Sequence, residues 1–257
     1  MRDKPRFFWK DRLRASGIHL GISFAIASLA ALLVFLLWYP YPYREISGGR
    51  ELFLILVSVD VVLGPLITLA IFSKSKPRLE LVRDLAIVGL IQLSALGYGM
   101  WTVFVARPVY LAFEIDRFRV IHAVDVPVEM LPQAPPGFEP LPSFGPKLVA
   151  VRPFRNPQES FEATMAALEG VQLGARPDLW QPYPDARTRI LQAAKPASDL
   201  LRRFPDAVER VEVAIADSGR PVESLMYLPL MGRNQVWTVL LDAATADVAG
   251  FMPLDSL

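Results

Sequence analysis

A single carboxylate, Asp60, lies within the long apolar runs that fill the first part of this chain, and no other acidic side chain shares them. A carboxylate placed near the middle of a membrane-crossing helix costs roughly 2.5 to 3.5 kcal/mol, so it is expected to face protein or water and not lipid. Three roles suit it: a proton-binding group, a recognition point for a partner, or a polar clamp between helices. Intramembrane aspartyl proteolysis requires two carboxylates in one site, and only one is present. Elsewhere, His122 and Asp125 with a distant serine could form a triad, but His122 also reads simply as a strand residue. Ser73-Lys74-Ser75-Lys76 has the elements of a Ser-Lys dyad, although lysines beside an apolar run have another explanation below. There is no Gly-x-Ser-x-Gly elbow, phosphate loop or His-Glu-x-x-His helix. With two histidines, His19 and His122, and no cysteine, the chain offers no thiolate chemistry and only a poor ligand set for zinc. No catalytic residue, metal or cofactor is expected.

The elements that must position Asp60 are three apolar runs, 18–39, 52–72 and 85–105. Each has about the 20 residues that a helix needs to cross roughly 30 Å of hydrocarbon. The composition agrees, with 53% hydrophobic residues and a mean hydropathy of +0.32 over 257 residues. The fold class read from this is a membrane protein: an N-terminal three-helix transmembrane bundle followed by a soluble α+β domain. A cleaved signal peptide is the alternative for the first run. That run is too long, and it ends in Trp38-Tyr39-Pro40-Tyr41-Pro42-Tyr43 without a small-residue cleavage site. Those aromatics, with Trp101, read as an interfacial belt.

Entering from the outer side, Asp60 is about 12 Å deep. On the third run that level is near Gly97 and Tyr98, so Tyr98 is its expected hydrogen-bond partner, with Ser94 a turn deeper. Gly64-Pro65 is expected to kink the second helix and free a carbonyl. Gly17 with Gly21 and Ala95 with Gly99 are small-residue pairs of the kind that let helices approach closely, either inside the bundle or against another protein's helix.

Orientation follows from the basic residues. Arg2, Lys4, Arg6, Lys10, Arg12 and Arg14 precede the first run, and Lys74, Lys76, Arg78 and Arg83 fall between the second and third. The other short loop has only Arg44 and Arg50. The N-terminal residues 1–17 and the second loop are therefore expected to be cytoplasmic, and residues 106–257 lie on the far side, in the periplasm of a diderm host. A net charge of +1 gives no reason to propose nucleic acid as a partner.

Residues 109–123 alternate as a hairpin or as two consecutive strands, and they follow the third run almost without a linker. Residues 127–157 hold nine of the 23 prolines and read as an extended surface segment, interrupted by a strand at 147–152. Helices are expected at 157–169, 185–194 and 197–204. Residues 206–216 fit either helix or strand. Strands at 224–230, 235–242 and 247–252 close the domain.

The order Trp38-Tyr39-Pro40, Gly48-Gly49-Arg50-Glu51-Leu52-Phe53, Val59-Asp60-Val61-Val62-Leu63-Gly64-Pro65-Leu66 and Ala106-Arg107-Pro108-Val109-Tyr110, running into Phe113-Glu114-Ile115-Asp116-Arg117-Phe118, resembles the TfpX/TfpZ-type family of type IV pilin accessory proteins. Tyr227-Leu228-Pro229-Leu230 and Trp237 with Leu240-Leu241-Asp242 extend the resemblance, while 127–220 contributes little to it. It implies a bacterial inner-membrane protein, not itself an enzyme, that works among membrane lipids with a cognate type IV pilin and supports its stability or assembly. Asp60, Gly64, Pro65, Tyr98, Arg107, Pro108, Tyr227 and Trp237 are the expected partner-binding or bundle-organising residues, with Arg107 and Asp60 as the charges that would orient a pilin helix. Two other readings stay open. One is a membrane-anchored periplasmic ligand-binding or sensor protein, which the short cytoplasmic segments disfavour. The other is a membrane enzyme or transporter subunit that uses Asp60, for which three spans make a poor path unless the protein oligomerises. The sequence leaves the oligomeric state open.

Overall fold

The structure, a computed structural model, describes residues 5–73, 76–139 and 141–257, with side chains from Trp9 onward. Of the residues singled out above, Arg2, Lys4, Lys74 and Ser75 and the side chain of Arg6 lie outside the described residues. The chain divides into two compact units: residues 5–37 with 49–105, and residues 38–48 with 106–257.

The first unit is helical. Helix α1 (Pro5–Leu33) runs on into a π-helical turn, Val34–Trp38. After the short helix α2 (Tyr43–Ile46), which belongs to the second unit, come α3 (Gly49–Ile71) and α4 (Arg78–Val105). Two helices, Trp9–Trp38 and Gly49–Ile71, are long and apolar enough to cross a membrane, and their most apolar stretches are at most 22% buried within the protein. Apolar surface on every side, uncovered by protein, is the pattern of a helix that meets lipid. The third run also forms a helix, α4, which carries Arg78, Glu80, Arg83 and Asp84 in its first two turns.

Helix α3 packs along both α1 and α4. Phe35 meets Phe53 edge-on at 5.1 Å, Ser16 Oγ donates to the Pro65 carbonyl at 2.9 Å, and His19 Nδ1 lies 2.6 Å from Thr68 Oγ1. Of the small-residue pairs, Gly99 holds the Leu56 side chain where a Cβ would stand. Gly17 and Gly21 do not mediate packing here, since a Cβ on either would meet nothing within 4 Å. Pro65 lies inside α3, which continues as one helix from Gly49 to Ile71.

The second unit is a mixed sheet clothed on both faces. Its strands are β1 (Pro108–Phe113), β2 (Phe118–His122), β3 (Lys147–Val151), β4 (Trp180–Pro182), β5 (Lys195–Pro196), β6 (Leu225–Met231), β7 (Val236–Asp242) and β8 (Val248–Met252), in the order β4-β3-β1-β2-β6-β7-β8, with β5 paired to β6. The β1–β2 hairpin is antiparallel, β3 runs parallel to β1, and β2 runs parallel to β6. Helices α5 (Pro157–Leu168), α6 (Arg187–Ala193), α7 (Ser198–Arg203) and α8 (Val208–Asp217) fill the connections. Asn156 starts α5 by accepting from the Glu159 N–H at 2.8 Å, with Pro157 in the first helical position.

Alternation along β6 and β7 builds two cores. Leu228, Leu230, Trp237, Val239 and Leu241 face one side with Leu111, Phe113, Phe118 and Ile190. Tyr227, Leu225 and Leu240 face the other, against Leu200 of α7 and Val211 of α8. The ambiguous segment is thus a helix: Val211 and Ala214 are buried while Val213 is half-exposed, a 3.6-residue period and not a two-residue one. Helix α5 forms where expected, but its apolar stripe of Phe161, Met165 and Leu168 faces outward and Ala163 supplies the buried contact.

Two features depart from the expectation. The proline-rich segment does more than lie on the surface. Leu131, Ala134, Phe138 and Leu141 cover a third core around Tyr110, Ile121 and Trp180. The loop between the first two apolar runs, residues 38–48, is built into the second unit: Tyr43 and Ile46 belong to its main core, and Tyr39 is fully buried.

Candidate functional site

Within the helical unit, α1, α3 and α4 line a half-open cavity of about 160 Å³. Its lining is apolar apart from His19 and Ser23 of α1, Asp60 of α3 and Gln92 of α4. Asp60 is there because a helix places residues 57 and 60 on one face; Val57 lines the cavity with it. Gln92 turns its Nε2 to the Asp60 backbone carbonyl at 3.1 Å, not to the carboxylate. Gly64 makes this possible, because a Cβ at that position would collide with the Gln92 amide.

Tyr98 does not join this site. It is 70% exposed and leans on Trp101 at 5.9 Å, and Ser94 is exposed as well. Leu96, one residue from Gly97, lines the cavity, whereas Tyr98 points from a different face of α4. The missed members are Gln92, Ser23 and Gly89. Gln92, the one amide in the third run, was the available signal.

In the second unit the expected contact residues turn inward. Arg107 is 4% exposed and donates from Nε to the Pro142 carbonyl at 3.0 Å and from Nη2 to the Leu141 carbonyl at 3.1 Å. It ties down the proline-rich cover and is not an open charge at an outer mouth. Burial lowers its pKa, opposed by the neighbouring Tyr39 and Glu139. Pro108 opens β1 opposite His122. Tyr227 is 1% exposed inside the α7–α8 core, and Trp237 meets Tyr41 of the 38–48 loop edge-on at 6.4 Å. The exposed part of that hairpin is its tip, Arg233 to Gln235.

His122 and Asp125 do meet, Nδ1 to Oδ2 at 3.0 Å, and the same oxygen accepts the His122 N–H at 3.0 Å. Arg233 Nη2 holds the other Asp125 oxygen at 2.8 Å. Burial would raise the Asp125 pKa, but the His122 hydrogen bonds and Arg233 outweigh it and the net shift is down. His122 Nε2 is buried without a partner among the described residues, so the geometry is that of a turn clamp with no nucleophile in place. Among the described residues no group of three or more His, Asp or Glu could hold a metal.

The class this defines is a two-unit protein: a helical unit whose long apolar runs hold one carboxylate, and a mixed-sheet domain that takes a loop from between the helices. Residues 7–48 match the family model of the fimbrial assembly protein FimB, a stretch that ends where that loop ends. Two fimbrial assembly proteins of Dichelobacter nodosus, of serogroups I and E1, are 37% and 36% identical to the chain over 242 residues, 93% of this chain and 93% of each relative. A third, of serogroups C1 and C2, is 39% identical over 132 residues, 51% of this chain and 99% of that relative. The chain belongs to the fimbrial assembly protein family. No solved structure matches it.

Proposed function

We propose that this protein is a multi-pass inner-membrane accessory protein that associates with its host's type IV pilin and supports its stability or its assembly into pili. The observation that carries the reading is similarity over 93% of the chain to proteins named for fimbrial assembly. The TfpX/TfpZ-type resemblance from Trp38 to Phe118 points the same way. The protein acts by holding its partner, not by chemistry on it.

The fold supports the topology. Residues 38–48 and 106–257 share one core, so they occupy one side of the membrane. The chain between them must cross an even number of times. If α3 crosses, α4 crosses back, and α1 then leaves the N-terminus on the opposite side. Basic residues on the N-terminal segment and on the α3–α4 loop make that side the cytoplasm. A partner with one membrane helix and a periplasmic head can then touch both units, and two modest contacts on one frame bind far better than either alone. On the head side, the exposed Asn234 at the β6–β7 tip is the point from which contact is expected.

The test is co-purification from mild detergent followed by mass spectrometry, with a photo-crosslinker at Asn234. The host's pilin is expected in the eluate and crosslinked to the tip. An eluate without pilin, together with normal pili in a strain lacking the gene, sinks the reading.

A further inference from the structure

We propose that a cleft of the second unit, bounded by the β1–β2 turn, the end of β3 and α6, takes an acidic side chain and the apolar residue beside it from an extended segment of another protein, with Arg189 as the counter-charge. The inference concerns the second unit alone and stands whichever protein the helical unit holds.

The cleft measures about 460 Å³ and is half-open. Glu114 and Ile115 line it from the turn, Arg152 and Phe154 from the chain leaving β3, and Arg189 and Gln192 from α6. The charged side chains in this lining are not equivalent. Glu114 is buried and accepts from Arg119 Nε at 2.9 Å and from the Gly174 N–H at 3.1 Å. Arg152 spends both Nη groups on the Glu159 carboxylate. Arg189 has no carboxylate partner among the described residues. Its Nη2 donates to the Val151 carbonyl at 2.7 Å, and its guanidinium lies 5.8 Å from the centre of the buried Phe113 ring. Burial lowers its pKa, and no neighbouring acid opposes that shift.

Two neutral contacts thus hold the guanidinium in place without cancelling its charge. A cation drawn away from water and left unpaired is costly to keep, and a planar guanidinium offers paired N–H donors that match a carboxylate. One uncompensated positive charge suits one carboxylate. The walls beside it, Ile115 and Phe154 among them, are largely apolar, so the residue next to the acid is apolar too.

The opening selects the kind of occupant. A small free ligand is usually held where about 70 to 90% of its own surface is covered. A half-open cleft covers one side only, as suits a group carried in on a larger body. Ile115, 62% exposed, gives that body an apolar place to rest.

The experiment uses the full-length protein in detergent, with the Ile115 methyl group as a nuclear magnetic resonance reporter. The probe is the synthetic peptide acetyl-Gly-Ser-Leu-Glu-Ser-Gly-amide, and companion peptides replace its Glu by Gln or Lys, or its Leu by Ser. The Leu-Glu peptide is expected to saturate the Ile115 shift at a concentration about tenfold below each companion. R189Q is expected to abolish that preference. Q192E provides a second route: Gln192 is exposed, so the fold is kept, and a carboxylate three residues beyond Arg189 on the same helix pairs with it and displaces the peptide's acid. R187Q removes an arginine that pairs with Asp247 outside the cleft, and is expected to leave the preference intact. Equal saturation by all the peptides, a preference that survives either R189Q or Q192E, or one that R187Q also removes, overturns the proposal. So does 4-methylpentanoate saturating the shift at as low a concentration as the Leu-Glu peptide, since the cleft would then be a site for a small free acid.

Discussion

Glu159 shows how single residues tie this fold together. Its carboxylate accepts from both Arg152 nitrogens, at 2.9 and 2.6 Å, and from the Arg155 N–H at 2.6 Å, which brings its pKa down from 4.5 to about 2. The lowered value belongs to the folded state, so the stabilisation is complete above pH 4.5 and is lost as the pH falls towards 2. E159Q should therefore lower the melting temperature at pH 7, and the difference from wild type should shrink as the scan moves from pH 4.5 to pH 2. A gap of constant size across that range would mean that the ion pair is not its source. At this scale the sequence was an uneven guide. It singled out Asp60, because one carboxylate in an apolar run is conspicuous whatever the fold. It gave no sign that Arg107, Tyr227 and Trp237 are buried, since arginine and aromatic residues look alike in sequence whether they face a partner or their own domain. Only the packing shows that Arg107 spends its donors on the 141–142 carbonyls.

Among the elements, the 38–48 loop carries the largest consequence. Ile46 is 1% exposed in the main core of the second unit, and Gly232 at the β6–β7 turn lies directly against it. Ile46→Ala should cost about 2 to 5 kcal/mol in denaturant unfolding. Gly232→Ala should also destabilise, because its Cβ would sit 2.8 Å from the Ile46 carbonyl and 2.9 Å from that of Gln235, and neither backbone can move aside cheaply. If Ile46→Ala unfolds like wild type, the loop is not part of that core. Periodicity made most strands and helices of the second unit legible, since β6, β7, β8 and the β1–β2 hairpin carry clear alternation between turn residues. The destination of the loop was not legible. Its proline and tyrosine content reads equally well as an interfacial belt, and its core partners lie 65 or more residues away along the chain. The two-residue β5 and three-residue β4 are too short to leave any pattern.

For the whole molecule, the sharing of one core by two separated segments turns topology into a measurable matter. The sequence has no cysteine, so single cysteines can be introduced without background. N234C should react with a membrane-impermeant maleimide applied from the periplasmic side, whereas K10C and R78C should react only after the membrane is opened. Outside labelling of R78C would break the even-crossing argument and with it the proposed orientation. The same discontinuity sets an order of events during synthesis. In the proposed topology, residues 38–48 would reach the far side early and wait there without their partners until 49–105 had been made and inserted and 106–257 had followed. The domain can close only on a chain whose α3 and α4 have gone in correctly. Resistance of the finished domain to periplasmic proteases would then report that insertion succeeded, and molecules that failed would be marked for removal before they could meet a partner.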